Sequence, residues 1–175
     1  MAQKRQTDLG AIELLVLDVD GVLTDGRIII HADGGESKCF HILDGHGIRM
    51  WQRAGLKVAL LSGRLSQATA RRAEELQITQ VVQDCHFKLP ALKQLLKDLR
   101  VPAERAAYVG DDLMDLPAVR HVGFGVAVAN AVDELKEHAD YVTTRAGGQG
   151  AVREVIEHIL KSSGRWQSLM ERYLT

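Results

Sequence analysis

Only two cysteines, Cys39 and Cys85, occur in 175 residues. They lie far apart and form no paired spacing, which argues against a disulfide framework or thiolate zinc site and leaves buried, reduced thiols as the expectation. Charge of one sign is missing as well: 22 Lys and Arg face 23 Asp and Glu, for a formal net charge of -1. That balance provides no electrostatic footprint for nucleic acid or an anionic membrane. No apolar run approaches the about 18 residues of a membrane span, and the opening MAQKRQTDLGAI has no apolar stretch of a secretion signal. The expectation is a cytoplasmic protein that acts on a small molecule. Prolines number three, and no Pro/Gly/Ser linker, low-complexity tract or internal repeat divides the chain. Residues 1–175 therefore read as one domain, long enough to bury a core without staples.

Short apolar runs recur along the chain: LLVLD (14–18), KVALLSG (57–63), QVVQD (80–84), AAYVGDD (106–112), VGFGVAVAN (122–130) and ADYVTT (139–144). They do not alternate, so they read as strands covered on both faces, as in a parallel sheet. Segments with helical spacing lie between them, around Ile48–Ala54, Ser66–Leu76 and Leu89–Leu99. Alternating strand and helix predicts an α/β, Rossmann-like three-layer fold with right-handed crossovers. Asp18, Ser62, Asp84, Asp111 and Asn130 each follow an apolar run directly. The carboxyl ends of strands in such a sheet line the ligand crevice, so these side chains are predicted to converge.

The stretch LLVLDVDGVLTDG (14–26) drives a buried strand into Asp18 and Asp20, while GDDLMD (110–115) adds Asp111, Asp112 and Asp115. Clustered carboxylates raise one another's pKa, and a divalent cation removes that penalty. An all-oxygen donor set favours Mg²⁺ over zinc or copper. The plainer alternative is a strand end whose aspartates cap the following turn. A rigidly aimed carboxylate can also take a phosphoryl group, which makes Asp18 the candidate nucleophile. Asp20, beyond which Gly21 lets the chain turn, can give a proton to the leaving oxygen and then take one from water. Lys88, Ser62 and the N–H groups of SGR (62–64) can hold phosphate oxygens. A helix N-cap for Ser62 and a surface position for Lys88 are the competing roles.

In order, Asp18-Val-Asp20-Gly, Ser62-Gly-Arg, Lys88 and Gly110-Asp111-Asp112-Leu-Met-Asp115 resemble the four motifs of the haloacid dehalogenase superfamily. The resemblance implies Asp18 as nucleophile, Asp20 as general acid/base, and Ser62 and Lys88 as phosphate binders. It implies Mg²⁺ held by Asp18, Asp111 and the backbone carbonyl of Asp20, with Asp112 and Asp115 supporting the site or starting a helix. Neither motif gap is long enough for the cap domain that many members carry. RIIIHADGGESKCFHI (27–42) reads instead as a protruding β-hairpin with its turn at Asp33-Gly34-Gly35. Isoleucines at 28–30 suit an oligomer contact better than packing on the same domain.

DVDGVLTDG, FHILDGHGIR, YVGDDLMDL and RAGGQGAVREV are similar to stretches of the capless phosphatases of acidic sugar phosphates. Members of that group act on eight-carbon octulosonate phosphates, on the way to lipopolysaccharide, or on nine-carbon nonulosonate phosphates. The resemblance implies a homotetramer built around the hairpins, and a sugar pocket lined by His41, Asp44 and Gly45. Arginines suit a substrate that carries a carboxylate beside its phosphate, and Arg49, Arg64 and Arg72 are the candidates, with Gly63 beside them. Gln149 replaces a family arginine, so that charge contact is lost. Near the C-terminus Trp166, Leu169, Met170, Tyr173 and Leu174 make an apolar helical stripe that either packs on its own domain or reaches a neighbour's site. Three functions remain open: an octulosonate phosphatase, a nonulosonate phosphatase, or a non-catalytic oligomerisation domain. Intact Asp18, Asp20, Lys88 and Asp111 argue against the last.

Overall fold

The computed structural model describes residues 7–174. Residues 1–6, the first half of the segment read for a targeting signal, and Thr175 at the end of the tail lie outside the described residues. In chain order the elements are β1 (Leu14–Leu17), β2 (Ile29–Ile30), β3 (Glu36–Ser37), α1 (Ile42–Arg53), β4 (Lys57–Leu61), α2 (Gln67–Glu75), β5 (Gln80–Val82) and α3 (Lys88–Leu99). There follow β6 (Ala106–Gly110), α4 (Leu116–His121), β7 (Phe124–Ala127), α5 (Asp133–His138), β8 (Tyr141–Val142), α6 (Ala151–Ser162) and α7 (Trp166–Leu174).

Six strands pair in the order β5-β4-β1-β6-β7-β8, and every pairing is parallel. The six apolar runs thus supply the six strands. β1, β6 and β7 are buried along their whole length, as sheet strands covered by helices on both faces must be. Helices α1 and α6 pack together over one face, with α2 beside α1, while α3, α4 and α5 cover the other. Full burial of each Leu or Val side chain of β1 contributes about 1.5–3 kcal/mol. An aspartate at Val16 would place an unpaired charge in that layer and unfold the centre of the sheet. Because β1 lies between β4 and β6, the chain reverses its direction of travel across the sheet there, which opens a crevice at the strand tips.

Between β1 and β4 lie only a two-stranded antiparallel hairpin and α1, so no cap domain is inserted there. Its strands are shorter than the span 27–42 read from sequence: Ile29 pairs with Ser37 and Ile30 with Glu36. The turn falls where Asp33-Gly34-Gly35 predicts, with the Gly35 N–H donating to Asp33 Oδ1 at 2.9 Å. Beyond Ser37 the chain leaves the hairpin ladder and enters α1 at Ile42. Ile29 and Ile30 are 52% and 77% exposed, so the hairpin does not pack on its own domain through them.

Helix α7 folds back on the same chain. Arg53 donates to the Tyr173 hydroxyl at 2.8 Å, His46 Nε2 lies 2.9 Å from it, and Trp166 and Leu169 pack on the core. Leu174 stays 75% exposed, so the stripe is only partly covered. Cys39 and Cys85 are free, as expected, but neither is buried: Cys39 is exposed and Cys85 half-buried. No helix among the described residues is long and apolar enough to cross a membrane.

Candidate active site

Asp18 follows β1, Ser62 follows β4 and Asp111 follows β6, so three adjacent strands deliver them to one crevice. Asp18 is 5% exposed. Lys88, the first residue of α3, places Nζ 2.8 Å from Asp18 Oδ1 and 2.6 Å from Asp115 Oδ1. Buried at 5% exposure, it is no surface lysine. Burial would push its pKa down, but the two carboxylates win and raise it, so the ammonium stays charged.

Asp115 is the hub beneath the site. It has no solvent exposure, and its carboxylate accepts from Lys88, from the Tyr108 hydroxyl at 2.7 Å, and from the N–H groups of Asp111 and Asp112 at 2.9 and 3.2 Å. Asp112 starts the short 3-10 turn Leu113–Asp115 by accepting from the Leu113 N–H. Both therefore have structural roles. Tyr108, buried in mid-strand, was not legible as a site residue because its sequence context is that of an ordinary core aromatic.

One carboxylate oxygen from each of Asp18, Asp111 and Asp115 lies within 4.8 Å of the others. With its lone pairs taken by four donors, Asp115 supports the cluster while Asp18 and Asp111 face the crevice. Burial and mutual repulsion raise the pKa of Asp18 to about 6 and that of Asp111 to about 8. For Asp18, burial acts first and Asp115 second, against Lys88; for Asp111, burial is followed by Asp18 and Asp115. Such a set of hard oxygens, destabilised as dianion, fits a divalent cation such as Mg²⁺. Gly21 adds room: with φ of +92°, a Cβ there would lie 2.0 Å from Asp111 Oδ2.

These carboxyls bind protons more tightly folded than unfolded, so their contribution to metal-free stability is fully present below the ordinary carboxylate range and is lost as pH rises through about 6 and about 8. The metal-free melting temperature should drop by about 5 °C or more between pH 5.5 and pH 8.5. Added Mg²⁺ should raise it far more at pH 8.5 than at pH 5.5. A metal-free melting temperature that climbs over this range would contradict the assignment.

Asp20 points away from this cluster. Lys38 Nζ lies 2.7 and 2.9 Å from its two oxygens, and Arg64 Nε 3.9 Å from Oδ2. Lys38 escaped the sequence reading because it lies in a polar hairpin segment with no motif around it. Ser62 is buried, and its Oγ accepts from the Arg64 N–H at 3.2 Å in a tight turn. It does not cap the following helix: Ser66 does, accepting from the Thr69 N–H at 3.3 Å. Gly63 lies in that turn, against Met114 and the Cys85 carbonyl. Arg64 also donates to Glu36 at 3.3 Å. Arg64 and Glu36 flank a cleft of about 680 Å³ between the hairpin and α2, together with Ile30, Leu65, Ser66 and Arg71.

The other residues expected at the sugar pocket make hydrogen bonds or close contacts within the chain. Asp44 is buried and caps α6, accepting from the N–H groups of Gly150 at 3.2 Å and Arg153 at 2.7 Å. Arg49 donates to Gln52 Oε1 and the Leu76 carbonyl, and Arg72 to Glu75 at 2.8 Å within α2 and to the His41 carbonyl at 3.5 Å, so both tie α1 and α2 together. Gly45 makes room for Arg72, whose guanidinium would lie 2.3 Å from a Cβ. His41 caps α1 through Nδ1, which accepts from the Leu43 N–H. Arg71, one residue from Arg72, lines the cleft instead; a step of one residue turns a helix by about 100° and changes the face presented. Asp84 is also absent from the cluster: its side chain is 69% exposed and faces His86.

Asn130, one of the predicted strand-end residues, joins two loops. Its Nδ2 donates to the Gly21 carbonyl at 3.3 Å and its Oδ1 accepts from the Gly147 N–H at 2.6 Å. The AGGQGA segment thereby lies directly on the loop that carries Asp20.

This fold and site define a class: a capless phosphotransferase-type hydrolase with its aspartates at the tips of a parallel sheet. The chain belongs to the haloacid dehalogenase-like hydrolases, whose family profile matches residues 80–156. Its curated relatives include 3-deoxy-D-manno-octulosonate 8-phosphate phosphatase KdsC of Escherichia coli, 46% identical over 154 residues, 88% of this chain and 82% of that one. Among solved structures, the same phosphatase from Moraxella catarrhalis, in complex with magnesium, phosphate and KDO, superposes with a TM-score of 0.92 at 42% identity, covering 94% of this chain and 95% of the other. The cobalt-bound phosphatase of Haemophilus influenzae gives 0.87 at 42% identity, with 89% and 91% covered.

Proposed function

We propose that this protein is a Mg²⁺-dependent phosphatase that hydrolyses 3-deoxy-D-manno-octulosonate 8-phosphate, as its relatives' names state for them. The observation that carries the mechanism is the buried Asp18 carboxylate held 2.8 Å from the Lys88 ammonium beside Asp111. Residues 1–175 act as one catalytic unit. Asp18 attacks the phosphorus, and the bond between phosphorus and the sugar oxygen breaks with its electron pair on that oxygen. Asp20 gives this oxygen a proton, and the product sugar leaves. Water then attacks the aspartyl phosphate, Asp20 takes its proton, and the bond between phosphorus and Asp18 breaks to restore the carboxylate. Lys88 and the Ser62 turn hold the phosphoryl oxygens throughout. Asp18, Asp111 and the Asp20 carbonyl would hold a Mg²⁺ ion, which when bound would offset the carboxylate repulsion and the charge on the phosphoryl group.

The sugar acid occupies the cleft between hairpin and α2, where Arg64 and Arg71 meet its carboxylate. Exposed Ile29 and Ile30 support a homotetramer assembled through the hairpins, which light scattering of the purified chain tests. Two unpaired cysteines suit a cytoplasmic setting.

Phosphate release is the decisive assay, with octulosonate 8-phosphate, nonulosonate 9-phosphates and common sugar phosphates compared in Mg²⁺ and in EDTA. The octulosonate should be preferred and EDTA should abolish release. Preference for a nonulosonate would move the substrate to the nine-carbon class. No metal-dependent release from any of them would overturn the proposal.

A further inference from the structure

The Lys38 side chain has 0% solvent exposure, although the hairpin segment that carries it lies on the surface. Its ammonium is 2.7 Å from Asp20 Oδ1 and 2.9 Å from Oδ2, with Thr69 Oγ1 at 3.5 Å. Burying a lysine costs several kcal/mol, and a well-packed apolar pair in place of both Lys38 and Asp20 would serve stability as well or better. The charge therefore calls for a role beyond holding the fold together.

Asp20 gives that role. It lies past the end of β1 in an irregular turn, and its side chain is 19% exposed. Among the described residues, the cations facing its oxygens are Lys38 and, at 3.9 Å, the half-exposed Arg64. Two residues before Lys38, Glu36 accepts from the Ser66 hydroxyl and from Arg64. Glu36 thus pins the hairpin to the start of α2, and this fixes where the Lys38 ammonium falls.

We infer that Lys38 is a positioning residue for Asp20: the hairpin brings a desolvated ammonium that holds the Asp20 carboxyl in the single orientation the proton transfers need. This rests on the proposed function, in which Asp20 is the general acid and base. A positioning group acts on the chemical steps and not on substrate capture, so kcat should change and KM should not.

The test compares wild type, Lys38→Met, Lys38→Gln, Lys38→Arg and Asp20→Asn with octulosonate 8-phosphate and with p-nitrophenyl phosphate. Both neutral Lys38 variants should lose at least about tenfold in kcat on the sugar phosphate, with KM within about twofold. Lys38→Arg, which keeps the charge, should recover most of the lost kcat. Nitrophenolate leaves without a proton, so the neutral variants and Asp20→Asn should show a stoichiometric burst of nitrophenolate followed by slow turnover, as the phosphoenzyme waits for an oriented base. Lys38→Met leaves the Asp20 carboxylate with Arg64 as its remaining cation and should melt below wild type, so kcat of each variant is read well below its own melting temperature, with Lys38→Arg as the charge-keeping control. Neutral variants with wild-type kcat, or with raised KM and intact kcat, would overturn the inference while leaving the phosphatase in place. Wild type without Mg²⁺-dependent turnover, or Asp20→Asn with full turnover, would overturn the proposed function and this inference together.

Discussion

Asp18→Asn should lower phosphate release by at least about 10⁴-fold, to the assay background, because it removes the atom that forms the covalent bond. The amide keeps the volume of the carboxyl at a position with 5% exposure, so the packing at the tip of β1 survives. It also deletes one of the charges that raise the pKa of Asp111. Lys88 keeps Asp115 as its carboxylate partner, at 2.6 Å, and is not left unpaired. The metal-free variant should therefore melt above metal-free wild type at pH 8, even as its activity disappears. Circular dichroism melts beside a phosphate assay read both effects. Turnover near the wild-type rate would place the nucleophile elsewhere.

Gly147→Ala should damage both stability and turnover, because among the glycines an added Cβ meets its neighbour most closely here. A Cβ there would stand 1.7 Å from the Gly21 carbonyl oxygen and 3.0 Å from the Val22 Cα, and both are backbone atoms with no rotamer to escape by. The AGGQGA loop would have to lift from the loop that carries Asp20, breaking the Asn130 bridge at 2.6 and 3.3 Å. Overpacking of this kind costs about 3 kcal/mol, and displacement of a catalytic loop by about 1 Å costs about 10²-fold in rate. The variant should show both losses in denaturant melts and in kcat. Unchanged kcat and stability would mean that the two loops separate freely and that the glycine serves no close approach.

The contrast between Asp44 and Lys38 shows where sequence reasoning runs out. Asp44 lies in a stretch similar to the capless phosphatases, yet its carboxylate receives the N–H groups of Gly150 and Arg153, over a hundred residues away. Lys38 lies in no motif and meets Asp20. Both contacts depend on how a helix or hairpin is rotated when it docks, and local pattern carries no information about that rotation. The same limit separates Arg71, which lines the cleft, from Arg72, which braces α1 against α2. Ser62 and Ser66 are a milder case: either could cap a helix, and the extra turn of chain after Ser62 decides for Ser66.

What the sequence determined by itself is the sheet and the residues at its tips. Six apolar runs without alternation can only be buried between two helical layers. The polar residue that ends each central run, Asp18, Ser62 or Asp111, must then emerge at the carboxyl edge, because a parallel sheet leaves nowhere else for it. Only the tertiary structure decided which polar groups turn toward that edge. It placed Asp115 beneath the cluster, sent Asp84 to solvent, and set Lys38 against Asp20. Those outcomes follow from the docking angles of α1, α2 and the hairpin, which reflect packing over the whole surface of each element and not the residues of any one segment.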